Sequence, residues 1–209
     1  PTSGIRITST RQVQEIEDVA MPLTILREQK IDQTLPVSLS DVLHTESGIS
    51  MARDGIWGTH VSIRGLSKTN IVTLIDGNRV DTATDLAAGM SMIDVNDIER
   101  IEVIKGAASA LYGSGAIGGV VNIITKDGWY QDDFYVKSRF LTGYRTANTS
   151  RQARLAVYTG NRSWYLKASG FTRKADDMET PQGMLENSQY QDNNISARTG
   201  LRLGTRHQV

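Results

Sequence analysis

The sequence predicts an α+β domain, built from a small mixed β-sheet with short helices, followed by a set of antiparallel β-strands. Short β-rich runs separated by turn and helix-capping residues predict the domain. Longer segments after Gly128 alternate apolar and polar residues, which is typical of strands with one apolar face. The formal net charge is zero, but residues 1–127 are net acidic and residues 128–209 are net basic. These changes in texture and charge predict a boundary near Asp127–Gly128.

The domain begins with a strand and two helical segments. Residues 21–26 (MPLTIL) predict the strand, and the polar residues 27–32 predict a helical turn after it. A second helix is indicated by a capping box at Ser38 and Asp41, an apolar face at Leu39, Val42 and Leu43, and a helix stop at Gly48.

Further β-rich runs complete the domain. Residues 71–75 (IVTLI) are apolar on both faces, which predicts a buried, central strand, and Asp76–Gly77 is a tight-turn signal. The remaining elements are strands at 61–65 and 98–106, a helical turn at 108–113 and a strand at 119–126.

One glycine-rich segment matches the pattern of a dinucleotide-binding loop. Gly113, Gly115 and Gly118 spell G-x-G-x-x-G, but the pattern alone is weak. In a dinucleotide fold the strand precedes the glycines and the helix follows, because the pyrophosphate binds at the helix N-terminus. Here the helical turn comes first and a β-branched run follows. We therefore expect these glycines and Gly119 to be structural, at a sharp and closely packed bend, and not to bind a nucleotide.

The composition excludes several classes of function. The chain has no cysteine, which excludes a disulfide scaffold, a thiolate metal site and a cysteine nucleophile. No segment approaches the ~20 apolar residues of a membrane-spanning helix. Neither half has the basic excess of a nucleic-acid-binding protein. The histidines are scattered, and no serine has a triad setting, so we expect no enzyme activity, no metal and no cofactor.

Several blocks in a fixed order resemble the plug domain of TonB-dependent outer-membrane receptors. The blocks are MPLTILREQKI (21–31), LSDVLHTESGI (39–49), VSIRGL (61–66), IVTLIDGNRV (71–80) and IERIEVIKGAASALYGSGAIGGVVNIITK (98–126). Small departures from the family pattern are Ala107 in place of a usual proline, Glu46–Ser47 before Gly48, and Lys105 in place of a common arginine. The resemblance implies a TonB-box-like segment at 1–12, a plug at 13–127 and the first strands of a truncated transmembrane β-barrel at 128–209.

The second part of the chain supports the barrel independently, because four segments alternate at the length that an outer-membrane strand needs. A short turn at 160–162 and a long polar loop at 174–194 fit periplasmic and extracellular connections. The alternative is a soluble antiparallel sheet with one wet face, and the pattern alone does not separate the two. Apolar and polar sets are Phe134, Val136, Phe140 and Tyr144 with Lys137, Arg139 and Arg145; Ala153, Leu155 and Val157 with Gln152, Arg154 and Tyr158; Trp164, Leu166 and Ala168 with Lys167, Ser169 and Arg173; and Ile195, Ala197, Leu201 and Leu203 with Ser196, Arg198 and Arg202.

The resemblance implies a coupling segment near the N-terminus. Residues 4–12 (GIRITSTRQ) are similar to the short segment that the periplasmic domain of TonB grasps. An extended peptide of this kind adds a strand to the edge of a partner's sheet. The alternative is a frayed terminus without a role. The residues expected to couple are Ile5, Arg6, Ile7 and Thr8.

The resemblance also implies two outward-facing loops that meet the ligand, at 51–60 and 81–92. Aromatic and basic groups suit an anionic iron–siderophore complex or haem, although Trp57 has a structural alternative, packing under the barrel wall. The candidate ligand-binding residues are Arg53, Trp57, His60, Asp81, Asp85, Met90 and Met92.

Finally, the family places basic residues of the plug opposite carboxylates of the barrel, and Arg64 and Lys105 match these positions. Within the present chain their alternative partners are Glu99, Glu102 and Asp76. The implied protein is a receptor in the outer membrane of a Gram-negative bacterium, with TonB, the ligand and membrane lipid as partners. A soluble binding module with the plug fold and a nucleotide-dependent enzyme are the competing classes.

Overall fold

The computed structural model describes residues 6–7, 14–15, 21–34, 36–53, 59–80, 93–146, 148–203 and 207–208. The chain divides into two compact units, residues 1–126 and 127–209. In the described part of the chain, no helix has the length and apolar character needed to cross a membrane.

The first unit combines short strands and short helices. Its elements are β1 (Arg6–Ile7), β2 (Gln14–Glu15), β3 (Leu23–Arg27), α1 (Glu28–Thr34), α2 (Leu39–Leu43), β4 (Ile49–Arg53), β5 (Thr59–Ile63), β6 (Leu66–Ser67), β7 (Ile71–Ile75), β8 (Asn78–Arg79), β9 (Ile98–Lys105), α3 (Ser109–Tyr112) and β10 (Gly119–Thr125).

A mixed five-stranded sheet forms the centre of this unit, in the order β3-β9-β10-β7-β8. Strands β10 and β7 are parallel, and the other neighbours are antiparallel. Strands β4, β5 and β6 form a separate antiparallel sheet, and β1 pairs with β2. The predicted mixed sheet with short helices is confirmed. The third of the five strands, in the middle of the sheet, is β10. Strand β7 is the fourth and lies between β10 and the two-residue edge strand β8.

Apolar clusters cover both faces of the central sheet. On one face Ile101, Val103 and Val121 pack with residues of α1 and α2, and on the other Ile104 and Val120 pack with α3. The predicted burial of β7 is confirmed, since its first four residues are buried. Burial on both faces explains why these strands are continuous apolar runs.

Local signals set the ends of α2 and the turn after β7. The Asp41 carboxylate accepts hydrogen bonds from the backbone N–H groups of Val37 and Ser38, at 2.8 and 2.9 Å. The helix ends at Leu43, and the chain turns several residues later at Gly48, where φ is +75°. The predicted turn at Asp76–Gly77 is confirmed as a two-residue hairpin loop with φ values of +49° and +79°.

The second unit is an antiparallel sheet in the order β11-β12-β13-β16-β17. Four of its strands have 11 to 14 residues, at least the ~9–11 residues of a tilted membrane strand. Its elements are β11 (Tyr135–Arg145), β12 (Ser150–Gly160), β13 (Trp164–Ala175), β14 (Met178–Thr180), β15 (Gly183–Leu185), β16 (Tyr190–Leu203) and β17 (His207–Gln208).

The connection between β13 and β16 differs from the prediction of one long polar loop at 174–194. The two strands stay paired as far as Ala175 and Tyr190, and the remaining connection contains a hairpin of β14 and β15. At this end of the two strands both faces carry polar residues. Composition therefore suggested a loop for residues that are still paired between β13 and β16.

Candidate functional site

The glycine-rich segment lies between α3 and β10. Gly113 ends the helix with φ +75°, Gly115 has φ +92°, and Gly119 opens the strand with φ +153°. The helix precedes the glycines and the strand follows them, as expected from the sequence. The positive φ values explain why glycine is needed at the bend.

This segment packs directly against neighbouring backbone. A Cβ atom on Gly119 would collide with the carbonyl oxygen of Ile104, and one on Gly118 would lie 2.8 Å from Cβ of Leu66. By contrast, a Cβ on Gly113 meets nothing within 4 Å. The closest approach to neighbouring backbone is therefore at Gly119, followed by Gly115, where a Cβ would lie 2.8 Å from the carbonyl oxygen of Thr69.

Arg79 hydrogen-bonds to the glycine-rich segment, a contact that the sequence did not indicate. Its Nη1 atom donates hydrogen bonds to the carbonyl oxygens of Tyr112 and Ser114, both at 3.1 Å. A basic residue two positions after a tight turn was the only signal, and it does not specify a partner 33 residues away.

The carboxylates of β9 pair with Arg100, and not with Arg64 or Lys105. Arg100 Nε donates to the fully buried Glu102 at 3.0 Å, and its Nη1 donates to Glu99 at 2.7 Å. Arg100 and Glu102 are two residues apart and share a face of the strand, whereas Lys105 lies on the other face. The expectation that Arg64 or Lys105 pairs with Glu99, Glu102 or Asp76 is therefore wrong. Asp76 instead accepts from the backbone N–H and hydroxyl of Thr125, at 2.9 and 2.8 Å.

The two basic candidates have different surroundings. Lys105 is buried, and its Nζ donates to the carbonyl oxygen of Ser47 at 2.8 Å. Arg64 is exposed in the two-residue loop between β5 and β6, where φ is +51° for Arg64 and +82° for Gly65. Both central residues of a type I′ turn need positive φ. The turn presents the Arg64 side chain outward.

The first predicted ligand loop is shorter than expected. Arg53 ends β4 and His60 lies in β5, which pairs with β4, so both belong to a hairpin and not to a loop. His60 is half-buried. The other candidate residues, Trp57, Asp81, Asp85, Met90 and Met92, lie outside the described residues. Among the described residues, no group of three or more His, Cys, Asp or Glu side chains could hold a metal.

The candidate coupling segment contains a paired strand. Arg6 lies opposite Glu15 and Ile7 opposite Gln14, in an antiparallel pair. Ile5 and Thr8 lie outside the described residues. The extended backbone at Arg6–Ile7 fits a segment that forms strand ladders.

The long strands of the second unit have one apolar and one polar face. On the apolar face, Ile195 is 90% exposed and Phe140 is 67% exposed. On the polar face, register places Lys137, Tyr158, Lys167 and Arg198 in one row across β11, β12, β13 and β16. The predicted alternation is confirmed in these four strands.

An α+β domain with a two-sided core, joined to long strands with one exposed apolar face, is the architecture of a plug followed by strands of an outer-membrane barrel. The family model "TonB-dependent Receptor Plug Domain" matches residues 15–120. The chain therefore belongs to the TonB-dependent receptor family, and its fold is a plug followed by barrel strands.

The sequence is similar to two proteins described as "Vitamin B12 transporter BtuB". Identity to the Photobacterium profundum protein is 30% over 210 residues, covering 95% of this chain and 32% of the relative. Identity to the Vibrio vulnificus protein is 42% over 123 residues, covering 57% of this chain and 20% of the relative. The chain thus spans about a third or less of these relatives' length.

Solved structures with the same fold include a copper transporter and a siderophore receptor. "Copper transporter OprC" superposes with a TM-score of 0.75 at 21% identity, covering 86% of this chain and 28% of that chain. The siderophore receptor PirA from Pseudomonas aeruginosa superposes with a TM-score of 0.64 at 25% identity, covering 90% of this chain and 34% of that chain.

Proposed function

We propose that this chain is the N-terminal part of a TonB-dependent receptor in the outer membrane of a Gram-negative bacterium, which takes up a scarce and bulky nutrient. The observation that carries this proposal is that the plug continues directly into long amphipathic strands. The alignment with a vitamin B12 transporter includes both parts, because it covers 95% of the chain. The exposed apolar face that includes Phe140 and Ile195 suits contact with membrane lipid and disfavours a soluble binding module.

The plug would occupy residues 13–127 and the first barrel strands residues 128–209, with residues 1–12 reaching the periplasm. In this arrangement transport needs no bond chemistry, so we propose a receptor and not an enzyme. Arg53, Trp57, His60, Asp81, Asp85, Met90 and Met92 remain the residues proposed to meet the ligand.

Cobalamin is the first ligand to test, because the relatives with 30% and 42% identity are named as vitamin B12 transporters. An iron–siderophore complex is the second candidate, because PirA is described as a siderophore receptor. Haem, the other ligand implied by the resemblance, is named by none of the relatives described above.

The test uses the full-length receptor in a strain that lacks its own cobalamin and siderophore receptors. We expect energised accumulation of radiolabelled cyanocobalamin, and no accumulation when TonB is deleted. Accumulation of ferric enterobactin without cyanocobalamin would identify the iron–siderophore complex, and not cobalamin, as the ligand class. Accumulation of neither compound, with the receptor present in the membrane, would contradict uptake of both proposed ligand classes.

We propose that Ile5, Arg6, Ile7 and Thr8 bind the periplasmic domain of TonB as an added strand. Support comes from the strand at Arg6–Ile7, which is already paired on one side with Gln14–Glu15. TonB would then either use the opposite edge of this strand or displace Gln14–Glu15 from it. Main-chain hydrogen bonds would supply the affinity.

We propose that Arg64 meets a carboxylate from a later barrel strand, as the resemblance implies. Its exposed position in a type I′ turn supports this role, because the guanidinium is accessible to a partner. Lys105 is the weaker candidate, since it is buried and its ammonium group already donates to Ser47.

A further inference from the structure

The segment that follows the plug is held against the polar face of the first barrel strands by aromatic contacts. Trp129 stacks on Tyr135 with a centroid distance of 5.1 Å and an interplanar angle of 6°, and on Tyr158 at 5.3 Å. The Tyr135 hydroxyl also donates to the carbonyl oxygen of Trp129 at 2.7 Å. Lys137 Nζ lies 5.0 Å from the centre of the Trp129 ring, within cation–π range.

The next residue makes an equivalent set of contacts. Tyr130 meets Tyr165 edge to face at 5.0 Å, and the Arg202 guanidinium lies 4.3 Å from the Tyr130 ring centre. Gln131 then donates its backbone N–H to the carbonyl oxygen of Asn161 at 3.3 Å. Three successive residues of the segment therefore contact several different strands and a turn of the sheet.

Glycines make room for this arrangement. A Cβ on Gly128 or on Gly200 would collide with the ring of Tyr165, and one on Gly200 would also lie 2.8 Å from the Tyr130 hydroxyl oxygen. Neither glycine has a left-handed φ. These two residues are therefore glycines because an aromatic ring occupies the space of a side chain.

The other side of the connection is fixed within the plug by Lys126. Its backbone N–H donates to Asp97 at 2.7 Å, its Nζ donates to the carbonyl oxygen of Asn96 at 2.8 Å, and its Nζ lies 2.7 Å from the Glu28 carboxylate. Lys126 is buried. Between Lys126 and Trp129 the chain has two residues, Asp127 and Gly128. The Asp127 carboxylate accepts a hydrogen bond from the backbone N–H of Gly128 and lies 3.8 Å from the Arg198 guanidinium.

We infer that residues 129–135 form a latch that stays on the barrel strands, and that any displacement of the plug pivots at Asp127–Gly128. This inference rests on the proposed transport function, in which the plug must yield to let the ligand pass. The latch keeps a force applied at the N-terminus from peeling the first strand out of the barrel wall. Trp129, Tyr130 and Tyr135 are its positioning residues.

The test applies force to the full-length receptor in a lipid bilayer, pulled from its N-terminus in a single-molecule instrument. In the wild type we expect plug extraction to stop at residue 128, followed by a separate event at higher force. In W129A/Y130A the first event should also release residues 129–134, which precede β11. These six residues add roughly 20 Å of length, at up to ~3.6 Å each. Phe140→Ala removes a ring from the exposed apolar face of β11, outside the latch, and should release no extra length.

A disulfide checks that the extra length comes from the latch. The backbone N–H of Gln131 donates to the carbonyl oxygen of Asn161, so these two residues are neighbours and a disulfide between them would tie the segment to the turn after β12. Oxidised Q131C/N161C in the W129A/Y130A background should shorten the first event, and reduction should lengthen it again.

Two results would overturn the latch: a wild type that already releases the additional length with the plug, or a W129A/Y130A variant that behaves like the wild type. The readout does not depend on uptake. A receptor that accumulates neither cyanocobalamin nor ferric enterobactin would contradict the proposed function. The pulling experiment would still show whether residues 129–135 stay on the barrel strands.

Discussion

The plug sheet and the barrel sheet use the same residue types under different packing constraints. Strands β7, β9 and β10 are buried on both faces, and Gly119, which opens β10, approaches the backbone of Ile104. The barrel strands are covered on one face only, and most of their described glycines meet side chains or open space. Gly200 faces the Tyr165 ring and Gly170 meets nothing within 4 Å, whereas Gly160, at the end of β12, approaches the backbone of Trp164 and Tyr165. A close approach to backbone cannot relax, whereas a ring can rotate or shift.

The largest effect expected from this difference is at Gly119. Gly119→Val places a β-branched side chain at φ +153° and against the Ile104 carbonyl, so two penalties act together. Overpacking and backbone strain each cost about 1–3 kcal/mol, and we expect the plug to lose about 3–5 kcal/mol of unfolding free energy. Urea unfolding of the full-length receptor, monitored by protease resistance of the plug, measures it.

Gly113→Val is the matched control, because Gly113 has a positive φ and a Cβ there meets nothing within 4 Å. Backbone strain alone should cost about 1–3 kcal/mol there, because φ +75° with ψ −159° is a conformation essentially confined to glycine. Equal losses at the two positions would mean that φ alone constrains the bend, and that the backbone contact at Gly119 relaxes.

A smaller effect is expected on the barrel sheet, where the two faces are the comparison. Ile195→Arg places a charge on the exposed apolar face of β16. If this face contacts lipid, the receptor loses about 2–4 kcal/mol of folding free energy when the position lies near the bilayer midplane. Refolding into lipid vesicles at graded urea concentrations measures the loss.

Asn194→Arg is the adjacent control on the polar face, and it should change stability by less than about 1 kcal/mol, since lumen-facing substitutions are tolerated. The reverse order of the two effects would mean that the apolar face of the sheet does not face lipid.

Local signals in the sequence predicted most of the fold. The capping carboxylate of Asp41, the turn at Asp76–Gly77 and the alternation along β11 to β16 each depend on neighbours within a few residues. These signals work because helix caps, type I′ turns and strand faces have fixed spacings. The order of helix, glycines and strand was predicted for the same reason.

Contacts between residues far apart in the chain were not predicted. Arg79 donates to Tyr112 and Ser114, 33 and 35 residues away. A local contact was missed as well, since Arg100 pairs with the neighbouring Glu99 and Glu102, the carboxylates assigned to Lys105. Strand alternation predicts that Lys105 and Glu102 lie on opposite faces of β9, which argues against their pairing. Which of the remaining cations pairs with Glu102 depends on tertiary packing. The aromatic contacts of Trp129 were missed because an indole in a polar connecting segment has no spacing rule that names its partners.

The smallest effect on stability is expected at the N-terminus, where the described pairing is the two-residue strand pair of β1 and β2. Ile7→Pro removes a backbone N–H and fixes φ, so residue 7 can no longer donate to a ladder, whether the partner is Gln14 or TonB. The unfolding free energy of the plug should stay within about 0.5 kcal/mol of the wild type, because the described pairing of this segment is a two-residue strand. Energised uptake by the full-length receptor should be abolished while ligand binding at the cell surface survives. Ile7→Ala should reduce uptake far less, since it keeps the main-chain donor that carries strand addition. Loss of surface binding together with uptake in Ile7→Pro would make the segment structural. Unchanged uptake would move the coupling segment elsewhere in the full-length protein and leave the pair of β1 and β2 without a role in coupling.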